Sequence, residues 1–129
     1  MVCLAEHHQN GPVPLETLAH EQKIPERYLA KIIQDLRRSG LIRSVRGASG
    51  GYVLNESPSK INLLDIWEGL EGTLCPVDCL DSPAVCDMRA ECPTRGVWDR
   101  MREAMAEVLK SENLGGLARR HEAKLGKRD

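Results

Sequence analysis

Four of the five cysteines of this 129-residue chain lie within eighteen residues, in the segment CPVDCLDSPAVCDMRAEC. They are Cys75, Cys79, Cys86 and Cys92. Thiols this close together can form disulfides, bind zinc or hold an iron–sulfur cluster, and thiolates suit both metals. Only Cys75 and Cys79 have the close spacing of structural zinc ligands, whereas the wider loops between the others can wrap a larger inorganic core. The residues alone leave zinc and iron–sulfur equally open.

The last of these cysteines lies at the predicted start of a long helix. Cys92 is followed by Pro93, which favours a first helical turn. The N-terminal end of a helix presents free N–H groups and a partial positive charge, which stabilise a thiolate and an anionic cluster. Cys3 differs, because it lies on the apolar face of a short predicted helix. We expect it to pack as a small hydrophobic core residue.

The length and composition predict one cytoplasmic domain. A chain of 129 residues can bury a modest core, and no run of eighteen apolar residues occurs that would cross a membrane. The start, MVCLAEHHQNGPVP, lacks the basic segment, apolar stretch and cleavage site of a secretion signal. Cytoplasmic thiols stay reduced, so we expect the clustered cysteines to bind a metal rather than each other.

The charges are divided between two segments. Residues 20–60 carry eight Lys/Arg against four Asp/Glu, whereas residues 61–92 carry one against seven. The basic segment suits a polyanion and the acidic, cysteine-rich segment does not. Aromatic residues are too few for the base-stacking platforms of single-strand binders, so that mode of nucleic-acid binding is not expected.

The basic segment begins with a predicted helix-turn-helix. In IPERYLAKIIQDLRRSG, Pro25 suits a first helical residue, Arg37 and Arg38 suit the negative end, and Gly40 stops the helix. Its apolar stripe is Tyr28, Leu29, Ile32, Ile33 and Leu36. Its opposite stripe is Arg27, Lys31, Gln34 and Arg38. A shorter helix in PLETLAHEQKI precedes it after a tight turn.

A β-hairpin is predicted directly after this helix. LIRSVRGASGGYVLN alternates with a period of two, which predicts strands at 41–45 and 52–54 joined by a Gly/Ser-rich loop. A helix-turn-helix followed by a hairpin is a winged helix. The hairpin could be a plain structural turn, but Arg43 and Arg46 beside its tip favour DNA contact, because a narrow minor groove attracts arginine.

The remaining chain is predicted to be helical apart from the cysteine loop. A helix capped by Asn62 precedes the loop, and a long helix with a broad apolar face follows it. That face includes Val97, Trp98, Met101, Met105 and Val108. Because the small core offers too little surface to cover it, we expect pairing with a second copy of the chain. The charged tail is expected to be loose.

These elements predict a mainly α fold: a winged helix-turn-helix with a β-hairpin wing and a long C-terminal dimerisation helix. The expected divisions are a DNA-binding head (1–60), a connecting helix with the cysteine loop (61–92), the dimerisation helix (93–112) and the tail (113–129).

The segment IPERYLAKIIQDLRRSGLIRSVRGASGGYVL, together with the cysteines that run into CPTRGVWDRM, resembles the Rrf2 family of bacterial winged-helix repressors, which includes IscR-, NsrR- and CymR-like branches. The resemblance spans roughly residues 2–117. It implies a homodimeric DNA-binding regulator that reads an operator, and in many members an iron–sulfur cluster, 2Fe-2S or 4Fe-4S, senses iron, redox state, nitric oxide or cluster supply.

The resemblance also implies roles for individual residues. Cys79, Cys86 and Cys92 correspond to the cluster ligands, with Cys75 as a candidate fourth. The recognition helix would present Pro25, Arg27, Tyr28 and Lys31 to the major groove. The wing would present Arg43, Arg46 and Ser49, with Arg46 in the minor groove.

Two departures from the family pattern leave the fourth ligand open. Six residues rather than five separate Cys79 from Cys86, and Arg95 stands where IscR-like members carry a histidine ligand. Members of the family also usually have about a dozen further residues before MVCLAEH, which in some supply a carboxylate ligand. A clusterless, CymR-like regulator and a zinc-stabilised DNA-binding module therefore remain alternatives. An enzyme is not expected, since no nucleophile–base pair, phosphate-binding glycine loop or paired acid motif occurs.

Overall fold

The computed structural model describes residues 1–127, and within them no helix is long and apolar enough to cross a membrane. The helices are α1 (Val2–Glu6), α2 (Leu15–Gln22), α3 (Glu26–Arg38), α4 (Leu63–Glu71), α5 (Asp78–Asp81), α6 (Arg95–Ser111) and α7 (Leu114–Gly126). The strands are β1 (Ile42–Val45) and β2 (Gly51–Leu54), and short 3-10 turns lie at Pro58–Lys60 and Pro83–Val85. The prediction of a mainly α winged helix is confirmed.

The helix-turn-helix consists of α2 and α3. Lys23 ends α2 in the left-handed conformation, with φ of 54°, and the chain turns directly into α3. Pro25 caps α3 in an extended conformation, so the helix begins one residue later than predicted. The predicted apolar stripe is buried at Leu29, Ile33 and Leu36. Tyr28 was wrongly assigned to that stripe, because its side chain is 62% exposed on the outer side of α3.

The wing is the antiparallel pair β1–β2, in a register that places Ile42 opposite Leu54 and Val45 opposite Gly51. A third segment joins it, because Val13 exchanges two backbone hydrogen bonds with Tyr52, at 3.0 and 2.9 Å. The contact requires glycine at position 51: its φ is 154°, and a Cβ there would lie 2.4 Å from the Val13 carbonyl. The segment before α2 is therefore part of the wing sheet.

The connecting helix α4 begins as predicted. The Asn62 side chain accepts a hydrogen bond from the Asp65 amide, and the Asp65 carboxylate accepts one from the Asn62 amide, which forms a capping box. The start of α4 lies beside the C-terminal end of α6. Leu63 N–H donates to the Glu112 carbonyl at 3.0 Å, and Leu114 N–H donates to the Ile61 carbonyl at 2.8 Å. The chain thus enters α4 and leaves α6 at one shared junction.

The prediction of a loose tail is wrong for the described residues 113–127, which contain α7; residues 128 and 129 lie outside the described part. Leu114 is fully buried in the core with Cys3, Leu4 and Ile61. The Asn113 side chain caps α7 by accepting from the Gly116 amide at 2.9 Å. An Arg120–Glu112 ion pair at 2.6 Å and a His121–Glu6 pair hold α7 to neighbouring segments. The sequence-based prediction rested on the charged residues of the exposed face of α7 and did not identify its buried face.

We expect Leu114→Ala to destabilise the fold by about 2–5 kcal/mol, because it removes a fully buried side chain and leaves a cavity. The change in the free energy of unfolding can be measured by urea denaturation followed by circular dichroism at fixed protein concentration. Leu125→Ala, on the exposed side of the same helix, is the control and should change stability by less than about 0.5 kcal/mol. Equal effects from both variants would mean that α7 does not pack on the head.

Candidate nucleic-acid interface and thiol site

The outer face of α3 is a basic surface open to solvent. Pro25, Arg27, Tyr28 and Lys31 are all exposed there. They follow one another along the first turns of the helix, whereas Leu29 and Ile33 on the other side fix the helix to the core. The N-terminal half of a recognition helix is the part that contacts base edges in helix-turn-helix proteins. All four residues predicted to contact the major groove are therefore exposed, and the contact itself stays a prediction.

The wing tip is compact and carries further exposed polar side chains, Arg43, Arg46 and Ser49. Gly47 has φ of 118°, and its carbonyl accepts a hydrogen bond from the Gly50 amide at 3.0 Å. A Cβ at Gly50 would lie 2.3 Å from the Val45 carbonyl, so this turn excludes larger residues. The glycines thus close a tight tip that projects Arg46 away from the core.

A groove between α3 and the wing adds basic residues that the sequence-based site had omitted. Gln34, Arg37 and Arg38 line it from α3, and Arg43 and Ser44 line it from β1. Arg37 was interpreted only as a favourable charge at the helix end, whereas Arg38 was also assigned to the basic outer stripe of α3. Their position beside the wing could not be inferred, since it depends on how the hairpin folds back. Arginines in such a groove suit DNA phosphates.

The cysteine loop contains short elements between α4 and α6. Cys79 lies in α5, Cys86 follows the second 3-10 turn, and Cys92 lies three residues before α6. All four loop cysteines are half-buried and unbridged. The Cys75 thiol donates to the Val77 carbonyl at 2.8 Å, and the Arg95 guanidinium donates to the Cys79 carbonyl at 3.5 Å.

Cys92 has the environment of a stabilised thiolate. The side chain of Thr94 lies 3.3 Å from its sulfur, and this contact is the main cause that lowers the pKa of Cys92. Backbone hydrogen bonds from Thr94 and Arg95 and the charge of Arg95 lower that pKa further. Arg95 therefore contributes positive charge at the position where IscR-like proteins carry a histidine. These effects are those expected beside the N-terminal end of α6.

In the described part of the chain, the loop thiols are not gathered around one point. A tetrahedral zinc ion holds its sulfur ligands about 3.8 Å apart. Within residues 1–127, no three of the loop thiols lie within 4.8 Å of one another. The loop is therefore not a preassembled zinc site. The assignment of a metal or a cluster to these half-buried cysteines stays a prediction.

Cys3 is a core residue, as predicted, with a 1% exposed side chain. Its thiol donates to Glu21 Oε2 at 3.0 Å, and the same carboxylate oxygen lies 3.3 Å from His7 Nε2. Burial and the adjacent Glu21 carboxylate raise the pKa of Cys3 to about 12. The thiol thus stays protonated at neutral pH, unlike the stabilised thiolate predicted for Cys92.

Helix α6 uses only part of its apolar surface within its own chain. None of its residues is fully buried, and Trp98 and Met105 are half-buried. Val97, Met101 and Val108 are more exposed, Val108 at 64%. Their spacing of four and seven residues places them on one side of the helix. This exposed apolar stripe is the part of the predicted dimerisation face that the chain itself does not cover.

Comparison with known proteins identifies the family. The model of the Rrf2 family, described as an iron-dependent transcriptional regulator, matches residues 1–120. The chain belongs to the Rrf2 family. The resemblance drawn from the recognition helix, the wing and the cysteine segment is thereby confirmed.

Relatives within the Rrf2 family cover nearly the whole chain. CymR of Bacillus subtilis (strain 168) is 40% identical over 118 residues, which are 92% of this chain and 80% of CymR. The solved structure of CymR, described as the global cysteine regulator of B. subtilis, matches with a TM-score of 0.74 and 39% identity over 91% of this chain and 85% of that one. The structure of T. potens IscR matches with a TM-score of 0.77 and 36% identity, over 95% and 80%.

The Rrf2 membership establishes a DNA-binding transcriptional regulator, and the expectation that the protein is not an enzyme is confirmed. The individual DNA contacts and metal ligands stay predictions. For this Rrf2 chain, α3 and the wing both expose basic side chains to solvent.

We expect Arg46→Ala to weaken operator binding by about 1–3 kcal/mol and to reduce the preference for A·T base pairs flanking the site, because the variant removes the wing's minor-groove contact. Binding can be measured by gel-shift titration on a duplex selected from a random-sequence pool. Arg119→Ala removes the same exposed side chain from α7 and should leave the affinity nearly unchanged. Unchanged affinity in Arg46→Ala would rule out the wing contact.

Proposed function

We propose that this Rrf2 regulator is a homodimeric, cytoplasmic repressor whose operator binding is controlled by an iron–sulfur cluster held by Cys79, Cys86 and Cys92. One observation carries the proposal: three half-buried thiols lie on the loop that ends at the positive end of α6, and α6 exposes the apolar stripe suited to dimerisation. The thiol site and the dimer contact thus belong to one helix and its entry loop.

The dimer is supported by the exposed side chains of α6. Val97, Met101 and Val108 would leave a continuous apolar stripe in water if the chain were monomeric. Because they share one side of a 17-residue helix, the same stripe on a second copy would cover them across a twofold axis. Trp98 and Met105, which are half-buried in one chain, would border this contact.

A symmetric dimer would carry two DNA-binding heads, one for each half of an operator. Such a dimer reads a pseudo-palindrome when its two recognition helices lie about 34 Å apart, one turn of the duplex. The basic outer face of α3 would enter the major groove, and Arg46 of the wing would enter the adjacent minor groove. The spacing of the heads is set by how α6 pairs with its copy, so a change at α6 would alter operator affinity.

The residues of the loop suit a cluster as follows. Cys79, Cys86 and Cys92 would supply three thiolates, with Cys75 as the candidate fourth ligand. Arg95 and the N-terminal end of α6 would offset the negative charge of the bound group. When bound, an iron–sulfur cluster supplies a centre that responds to electrons, oxidants and iron supply. The family description as iron-dependent supports this assignment.

A second candidate is a clusterless regulator that responds through its thiols or a partner protein. The similarity to CymR, described as a cysteine regulator, favours it. The half-buried loop cysteines are also accessible enough for oxidation. Protein purified without oxygen separates the two candidates. A coloured preparation that contains iron and sulfide supports the cluster, whereas a colourless, iron-free preparation that still binds the operator supports the CymR-like alternative.

We expect Cys86→Ser to yield a folded, dimeric protein that lacks the visible absorbance of the anaerobically purified wild type, because it removes one proposed cluster ligand. Absorption spectroscopy with iron and sulfide analysis measures the loss, and size-exclusion chromatography with light scattering checks the dimer. Met88→Ala changes an exposed residue of the same loop and should keep the colour. Full absorbance in Cys86→Ser would remove this cysteine from the ligand set.

We expect Met101→Glu to shift the protein from dimer to monomer, because a carboxylate in the apolar stripe would be buried without a partner. Light scattering across a dilution series should show the dimer dissociating at a concentration at least about tenfold higher than for the wild type. Arg100→Glu introduces the same side chain at an exposed position outside the stripe and should leave the dimer intact. An unchanged dimer in Met101→Glu would place the subunit contact elsewhere.

A further inference from the structure

We propose that Cys3, His7 and Glu21 form a second metal site, separate from the cysteine loop, which binds a single divalent ion of borderline softness, Zn²⁺ by preference. The three residues offer one sulfur, one nitrogen and one oxygen ligand, and these atoms all lie within 4.8 Å of one another. Within residues 1–127 they are the one group of metal-ligating side chains so closely assembled.

The secondary structure places the three ligands together. Cys3 lies in α1, and His7 follows four residues later at the end of the same helix, so the two side chains project from one face. Glu21 lies in the last turn of α2, which packs beside α1. Its Oε2 atom already contacts both partners, the thiol of Cys3 at 3.0 Å and His7 Nε2 at 3.3 Å.

These distances are close to those that a zinc ion requires. With Zn–S of 2.3 Å and Zn–N and Zn–O bonds near 2.1 Å, a tetrahedron places sulfur and oxygen about 3.6 Å apart and nitrogen and oxygen about 3.4 Å apart. The observed contacts differ from these values by about 0.6 Å or less. Small side-chain rotations would therefore admit the ion. Three protein ligands leave the fourth position of the tetrahedron open to water.

Burial and proton balance are also compatible with metal binding. The sulfur is enclosed by the core, whereas the side chains of His7 and Glu21 are 34% and 39% exposed, which gives an ion a path from solvent. On binding, the Cys3 thiol loses its proton to solvent, and its hydrogen bond to Glu21 is replaced by bonds from sulfur and oxygen to the ion. Sulfur and imidazole favour Zn²⁺ over Mg²⁺ or Ca²⁺.

The bound ion would cross-link two helices of the DNA-binding head. Helix α2 is the first helix of the helix-turn-helix, and α1 packs on α7 and on the wing side of the core. A metal link from α1 to α2 would restrain the helix-turn-helix relative to the rest of the head. The site is thus suited to stabilising the head, independently of the cluster proposed for the cysteine loop.

The test uses the full chain with Cys75, Cys79, Cys86 and Cys92 all changed to Ser, so that Cys3 is the remaining thiol. Titration with Co²⁺ should show saturation at one equivalent, with a thiolate-to-cobalt charge-transfer band, and Zn²⁺ should displace the Co²⁺. His7→Ala and Glu21→Gln in the same background should each weaken binding by at least about tenfold, since each removes a ligand. His8→Ala, next to His7 in the chain, and Glu16→Gln, on the same helix as Glu21, are matched controls and should bind as the parent does.

Binding that fails to saturate at one equivalent, or an equal affinity in His7→Ala and His8→Ala, would overturn the proposal and leave the three residues as a hydrogen-bond network. If the serine-substituted chain does not fold, nuclear magnetic resonance of the unsubstituted protein replaces the titration. Addition of Zn²⁺ must then shift the ring nitrogen signals of His7 and leave those of His8 in place. Unshifted His7 signals would equally contradict the site.

Discussion

The pairing of Val13 with Tyr52 fixes the start of the helix-turn-helix against the wing. Val13 lies two residues before α2, and Tyr52 lies in the second wing strand, so their two backbone hydrogen bonds join the start of the helix-turn-helix to the wing. The close approach is possible because residue 51 is glycine. A side chain there would push the wing away from α2 and, through the core, change its angle to α3. Arg27 and Lys31 on α3 and Arg46 beside the wing tip are all exposed.

Much of the fold could be predicted from local patterns. The apolar spacing of α3, the glycines around the wing tip and the capping sequence at Asn62 each specify their element within a few residues of chain. The order of these elements then indicated a winged helix, and the family match confirmed it. The main local error was Tyr28, which has an apolar ring but lies on the solvent side of α3. Helical spacing places Tyr28 at the edge of the apolar stripe, and spacing alone does not determine whether a residue at that edge is buried or exposed.

Features that depend on distant residues could not be predicted. The burial of α7 rests on Leu114, which packs against α1 and Ile61, far away in sequence. Its three glycines and its charged residues are a local pattern typical of a loose tail. The group of Cys3, His7 and Glu21 joins two helices across a turn, so neither helix contains a metal motif. The loop cysteines were recognised by their density, but the contact of Thr94 with Cys92 depends on the backbone conformation before α6.

The junction at Ile61–Leu63 and Glu112–Leu114 has a mechanical consequence. Hydrogen bonds attach the C-terminal end of α6 to the residues before α4 at this junction. The cysteine loop joins the N-terminal end of the same helix. Helix α6 is about 25 Å long, since its 17 residues rise about 1.5 Å each. Tilting it by about 5° around the fastened end displaces the far end by about 2 Å. A displacement of about 2 Å at the end of α6 that adjoins the cysteine loop therefore corresponds to a tilt of only about 5° of the whole helix.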